Sequence, residues 1–64
     1  MSGEELKAIR GQLGVTQTQL AMALEIDVST LSRYERGVLR TLKTVEIAVR
    51  ALAQDPNLRE EYLP

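Results

Sequence analysis

Thr16-Gln-Thr-Gln-Leu-Ala-Met-Ala-Leu-Glu-Ile-Asp-Val-Ser-Thr-Leu-Ser-Arg-Tyr-Glu-Arg-Gly37 is the stretch whose reading decides the fold. It reads as two short capped helices joined by a three-residue turn. Thr16 and Gln19 form a T-x-x-Q capping box, in which hydroxyl and amide each satisfy a backbone N–H left orphaned at a helix start. Val15 and Leu20 bracket that cap as a hydrophobic staple. Asp27 caps the second helix, and Ile26 with Leu31 repeats the staple. Two staples so close together fix the angle at which each helix begins. The outer face of the second helix carries small polar residues and arginines, the surface that a helix-turn-helix lays in a DNA major groove.

Ala21 stands where the two helices approach most closely, and Leu20, Leu24, Leu31 and Tyr34 supply their shared apolar contact. Any small helical bundle uses caps and a Leu/Ala face. The joint occurrence of the turn spacing, the paired staples and the arginine-bearing face favours the helix-turn-helix over that plainer reading.

Sixty-four residues allow a single domain over 1–64, with the helix-turn-helix core at 16–37 and a candidate dimerisation tail at 54–64. A core this small is marginal, and the chain has neither cysteine for a disulfide nor a Cys/His set for a structural metal. No signal peptide or membrane-length apolar run is evident, so the expectation is a soluble, cytoplasmic protein. The net charge of −1 argues at first sight against nucleic acid, but its distribution argues the other way. Residues 1–27 and 51–64 are each net −2, whereas 28–50 hold Arg33, Arg36, Arg40, Lys43 and Arg50 and are net +3. Positive charge gathers where a recognition helix and its following loop would meet phosphates.

Outward from the central stretch, the chain reads as all-α with five short helices. Ser2-x-x-Glu5 starts helix 1, about Gly3 to Leu13, and Gly14 ends it. Helix 2 is expected at about Gln17–Leu24 and helix 3 at about Val28–Arg36, stopped by Gly37. Thr41 is the expected cap of helix 4, about Leu42–Ala53, whose Val45, Ala48, Val49 and Leu52 form a core stripe. Asp55-Pro56 starts a last short helix, with Asp as cap and Pro at the first helical position.

Helix 3 should turn Val28, Ser29, Ser32, Arg33 and Arg36 away from Leu31 and Tyr34. Base edges are best reached from the N-terminal part of such a helix. Val28 suits a thymine methyl, Ser29 several bases, and Arg33 a bidentate contact to guanine. Gln17, with Thr16 beside it, lies at the N-terminal end of helix 2, where free N–H groups and the helix dipole favour phosphate. Arg36, Arg40, Lys43 and the Thr41 hydroxyl are the expected neighbouring phosphate contacts; Arg50 and Lys7 read as solvated.

With these residues in place, Leu6 to about Ala53 resembles the xenobiotic-response-element family of helix-turn-helix domains, the fold of Cro-like and lambda-like repressors. The resemblance rests on Thr16-Gln17-x-x-Leu20-Ala21 and Ile26-x-x-x-Thr30-Leu31-Ser32-x-Tyr34-Glu35-x-Gly37. It implies base reading at 28, 29 and 33, phosphate binding at 17, and an ion pair between Arg10 and Glu35 that pins the recognition helix. A chain this short suits a compact repressor or autoregulator of phage, plasmid or bacterial type, and the few base contacts of one small module lead to the expectation of a homodimer on an inverted-repeat operator in double-stranded DNA. Glu25 departs from the family, which usually has glycine in the turn. Either Glu25 accepts a positive φ at a cost on the order of 1 kcal/mol, or the turn is remodelled. The run from Thr44 to Pro56 is also similar, over a short apolar pattern, to small phage anti-CRISPR-associated regulators.

Leu58, Tyr62 and Leu63 are the candidate dimer contacts, with Ile47 and Ala51, off the main core stripe, and Val38 or Leu39 in the loop as further candidates. The competing assignment is that they close the core. An enzyme is not expected, since His, Cys, a glycine-rich phosphate loop and a carboxylate dyad are all missing. No cofactor, metal or small-molecule ligand is suggested. The rival function is an antitoxin or another protein-interaction module on the same fold.

Overall fold

The computed structural model describes residues 1–64 and contains five helices and no strand. They are α1 (Gly3–Leu13), α2 (Gln17–Leu24), α3 (Val28–Glu35), α4 (Lys43–Gln54) and α5 (Pro56–Tyr62). The all-α, five-helix expectation is met. α1 packs against α3 and α4, α2 against α3, and α5 against α4. The core comprises Leu6, Val15, Leu20, Ala21, Leu31, Tyr34, Val45, Val49 and Leu52, so every helix except α5 sends a fully buried side chain inward. Each of Leu6, Leu20 and Leu31 is 0% exposed, a burial worth about 1.5–3 kcal/mol apiece.

Local chemistry sets most helix ends. The Thr16–Gln19 capping box is complete, with Gln19 N donating to Thr16 Oγ1 at 3.1 Å and Thr16 N to Gln19 Oε1 at 2.9 Å. Asp27 and Asp55 each accept a backbone N–H two residues on, at 2.8 and 2.9 Å. At the other end of α4, Arg59 reaches back and donates to the carbonyls of Leu52 and Ala53 at 3.0 and 2.8 Å.

The end of α3 and the start of α4 differ from the sequence reading, and α4 runs one residue further, to Gln54. Arg36 lies just past α3 as its C-cap. The cap of α4 is Leu42 rather than Thr41, and it makes no side-chain hydrogen bond. Thr41 is drawn into the interior, 6% exposed, so the position that could cap the helix falls to the next residue.

The turn between α2 and α3 is not remodelled. Glu25 sits at φ 56°, ψ 42°, and Ile26 N and Glu25 N close the turn onto the carbonyls of Ala21 and Met22 at 3.0 and 3.2 Å. That is the hydrogen-bond pattern of a glycine-ended helix, built with a residue that carries a Cβ. Glu25→Gly is therefore expected to stabilise the fold by about 0.5–1 kcal/mol, less what glycine adds to the unfolded chain's entropy. Calorimetry should show a melting temperature roughly 2–6 °C higher. A lower value would mean that the turn holds no strain.

Candidate nucleic-acid interface

The geometry of α3 begins with what holds it. Glu35 on its last turn is 7% exposed, and its carboxylate is gripped from two helices. Arg10 of α1 donates from Nε to Glu35 Oε2 at 2.7 Å and from Nη2 to Oε1 at 3.0 Å, a two-point fork. Arg10 Nη1 also donates to the Val15 carbonyl at 3.0 Å, so a single guanidinium ties α1, the α1–α2 connection and α3. Gln17 Nε2 adds a bond to Glu35 Oε1 at 3.1 Å. Burial alone would push the Glu35 carboxyl up. The hydrogen bonds from Arg10 and Gln17, with the charges of Arg10 and Lys7, hold it below the usual carboxylate range instead. The bond to Glu35 raises the pKa of Arg10 above its ordinary value.

With Leu31, Tyr34 and Glu35 turned inward, the opposite side of α3 is open. Val28, Ser29 and Arg33 are exposed and Ser32 is half-buried. Residues 29, 33 and 36 follow one another at helical spacing and line one stripe. Arg33 takes part in none of the chain's ion pairs. Arg36 Nε donates to Ser32 Oγ at 3.3 Å. Arg40 on the α3–α4 connection and Lys43 at the start of α4 are exposed and equally outside the ion pairs. Arg50 is already engaged, donating to Glu46 at 3.1 Å and Glu5 at 3.3 Å, so on α3 and the connection to α4 the cations left for a partner are those from Arg33 to Lys43.

At the start of α2, Thr16 is exposed with its hydroxyl oxygen in the capping box, and Gln17 is half-buried. The bond from Gln17 to Glu35 uses one of its two amide hydrogens, leaving the other and its backbone N–H. Thr41 is the outlier among the expected phosphate contacts, because it lies inside. Of the tail residues, Leu58 and Leu63 pack against the core of their own chain, and Tyr62 is 56% exposed. More exposed apolar side chains lie on the α3–α4 connection, with Val38, Leu39 and Leu42, and on α4, with Ile47, each 45–68% exposed.

Sequence reasoning missed two features. Gln17 acts on Glu35, which only the packing of α2 against α3 brings within reach. Ser29 Oγ donates to Asp27 Oδ1 at 2.8 Å, a bond that depends on a rotamer and not on spacing alone. A groove of about 650 Å³ between α2 and the C-terminal residues, bordered by Met22, Glu25, Glu61 and Tyr62, contains no residue of α3, so the chain's largest concavity is separate from its basic surface. No three acidic side chains gather as a metal-binding cluster. No helix is long and apolar enough to cross a membrane.

Comparison with known proteins places the chain among similar sequences. The helix-turn-helix domain family matches residues 3–62. An uncharacterized HTH-type transcriptional regulator of Acanthamoeba polyphaga mimivirus is 33% identical over 57 residues. That alignment takes in 89% of this chain but only 25% of the viral protein, so the chain spans about a quarter of that relative's length. No solved structure matches the chain.

Proposed function

The chain belongs to the helix-turn-helix domain family, and from that premise we propose that it is a sequence-specific, double-stranded DNA-binding transcriptional regulator of the xenobiotic-response-element type, acting as a cytoplasmic repressor or autoregulator. The observation that carries the reading is the open stripe of α3. Its Arg33 guanidinium is unpaired, and Arg36, Arg40 and Lys43 follow it outside every ion pair. Val28, Ser29, Ser32 and Arg33 read base edges in the major groove. Thr16, Gln17, Arg36, Arg40 and Lys43 hold phosphates. Thr41 joins them only if its buried side chain turns outward. The Arg10–Glu35 fork has a positioning role, keeping the recognition helix at its angle.

A module this small makes few base contacts, and a symmetric pair reading two half-sites gains specificity. We therefore extend the reading to a homodimer on an inverted repeat. The exposed Val38, Leu39, Leu42 and Ile47 favour the α3–α4 connection as its face, with Tyr62 as the tail's contribution.

Salt dependence tests the phosphate contacts. Binding to duplex DNA should fall steeply with salt, with a slope of about 0.9 per phosphate neutralised. Arg40→Ala or Lys43→Ala should weaken selected and random duplexes alike and flatten that slope by about one unit. Wild-type binding that ignores salt would overturn the clamp, and a folded wild type without sequence preference would favour the protein-interaction module.

A further inference from the structure

Asp27 does more than capping requires. A cap needs one hydrogen bond, and Ser29 N supplies it to Asp27 Oδ1 at 2.8 Å. The same oxygen also accepts the Ser29 hydroxyl at 2.8 Å. A serine hydroxyl has a single proton and two lone pairs, and an ionised carboxylate is acceptor-only. The bonds from the Ser29 backbone and hydroxyl, together with the nearby charge of Arg33, hold the Asp27 carboxyl below its ordinary range, so it is ionised at neutral pH. The direction of the Ser29 hydroxyl bond is thereby fixed: the proton points at Asp27. Neither bond uses Asp27 Oδ2, and both residues are exposed.

We propose that Asp27 is a specificity-determining residue: it occupies the only hydroxyl proton of Ser29, so the Ser29 side chain offers acceptors alone and selects a base bearing an exocyclic amine, cytosine or adenine. The proposal rests on the DNA-binding reading above. In the major groove the cytosine N4 and adenine N6 amines are the only hydrogen-bond donors, while guanine N7 and O6 and thymine O4 are acceptors. A free serine would meet either kind by rotating its proton. This serine does so only by giving up its bond to Asp27, and guanine or thymine at its position otherwise faces lone pairs and a carboxylate. Arg33, one turn on, has donors only and takes the opposite preference. The recognition helix thus carries acceptor side chains at 27 and 29 followed by a donor at 33, which orients it on a half-site.

The test begins with selection of bound duplexes from a random pool by the wild type and by Ser29→Ala. Ser29→Ala keeps the backbone cap, and circular dichroism confirms its helix content. One position per half-site should prefer cytosine or adenine in the wild type and lose that preference in the variant. Duplexes with pyrimidin-2-one in place of that cytosine, or purine in place of that adenine, lack only the amine. Wild-type affinity should fall about five- to tenfold on them, while Ser29→Ala binds both duplexes alike. Asp27→Asn keeps a capping oxygen and puts an N–H donor in place of Oδ2, so discrimination against guanine and thymine should shrink. A Ser29-dependent preference for guanine or thymine overturns the proposal, as does an amine deletion without effect. If folded wild type selects no sequence at all, the DNA-binding reading beneath it fails instead.

Discussion

Arg10→Ala is expected to bring the domain to the edge of unfolding. The variant strands a carboxylate whose side chain is 2% exposed, with Gln17 Nε2 as the one donor still bonded to it. Removing one partner of a buried pair costs about 3–5 kcal/mol. A chain of 64 residues has roughly 3–10 kcal/mol in total. Glu35→Ala should cost less, because the guanidinium it leaves is 18% exposed, keeps the Val15 carbonyl and can reach water. The pH dependence separates the two partners further. In the wild type the Glu35 carboxyl, despite its burial, titrates below its usual range. Such a group stabilises the fold above its unfolded pKa, about 4.3, and the contribution is lost as pH falls through the lower folded value. In Arg10→Ala burial acts with little opposition, the folded pKa moves above the unfolded one, and the sign reverses. Urea midpoints should show the gap between wild type and Arg10→Ala narrowing from neutral pH to about pH 5. A gap that stays constant would mean that Glu35 is not the stranded charge.

Gly3→Ala and Gly11→Ala should move stability in opposite directions although both lie in α1. A Cβ on Gly3 would overlap the carbonyl oxygen of Tyr34 and the carbonyl carbon of Glu35, the latter at 2.8 Å. Both are backbone atoms at the end of α3 and cannot rotate aside, so the start of α1 must move away from the recognition helix. Overpacking of this kind costs about 1–3 kcal/mol. A Cβ on Gly11 meets nothing within 4 Å. There alanine gains only its helix propensity, about 0.5–1 kcal/mol. For a domain of this size each kcal/mol is roughly 4–8 °C in melting temperature. Gly3→Ala should also weaken DNA binding at temperatures where it is still folded, because α3 loses its seat. Equal shifts for the two substitutions would contradict the close approach of α1 to α3.

What could be read from the sequence was the part governed by neighbours along the chain. The Thr16–Gln19 box, the Asp27 and Asp55 caps and Pro56 act within three residues, so their spacing carries the geometry. The α4 cap was misplaced by one residue because a threonine before a helix signals a cap only if it stays outside, and packing pulled Thr41 in. The two outcomes open for Glu25 could not be separated locally, since surrounding contacts decide whether a residue is kept in a left-handed conformation. The contact of Gly3 with α3 and that of Gln17 with Glu35 are tertiary, and nothing in the periodicity announces them. The tail was ambiguous for the same reason. Leu58 and Leu63 lean on α5's own neighbours, while Tyr62, in the same short stretch, faces out.

The central claim is that α3 reads base sequence, and selection from a random duplex pool by wild type and Arg33→Ala tests it most directly. The wild type should enrich a short inverted repeat with half-site centres about 10 base pairs apart. Arg33→Ala, with its helix content intact, should relax one or two base pairs per half-site at a cost of about 1–3 kcal/mol. A folded wild type that enriches no sequence, or an Arg33→Ala that weakens every duplex equally, would contradict the account.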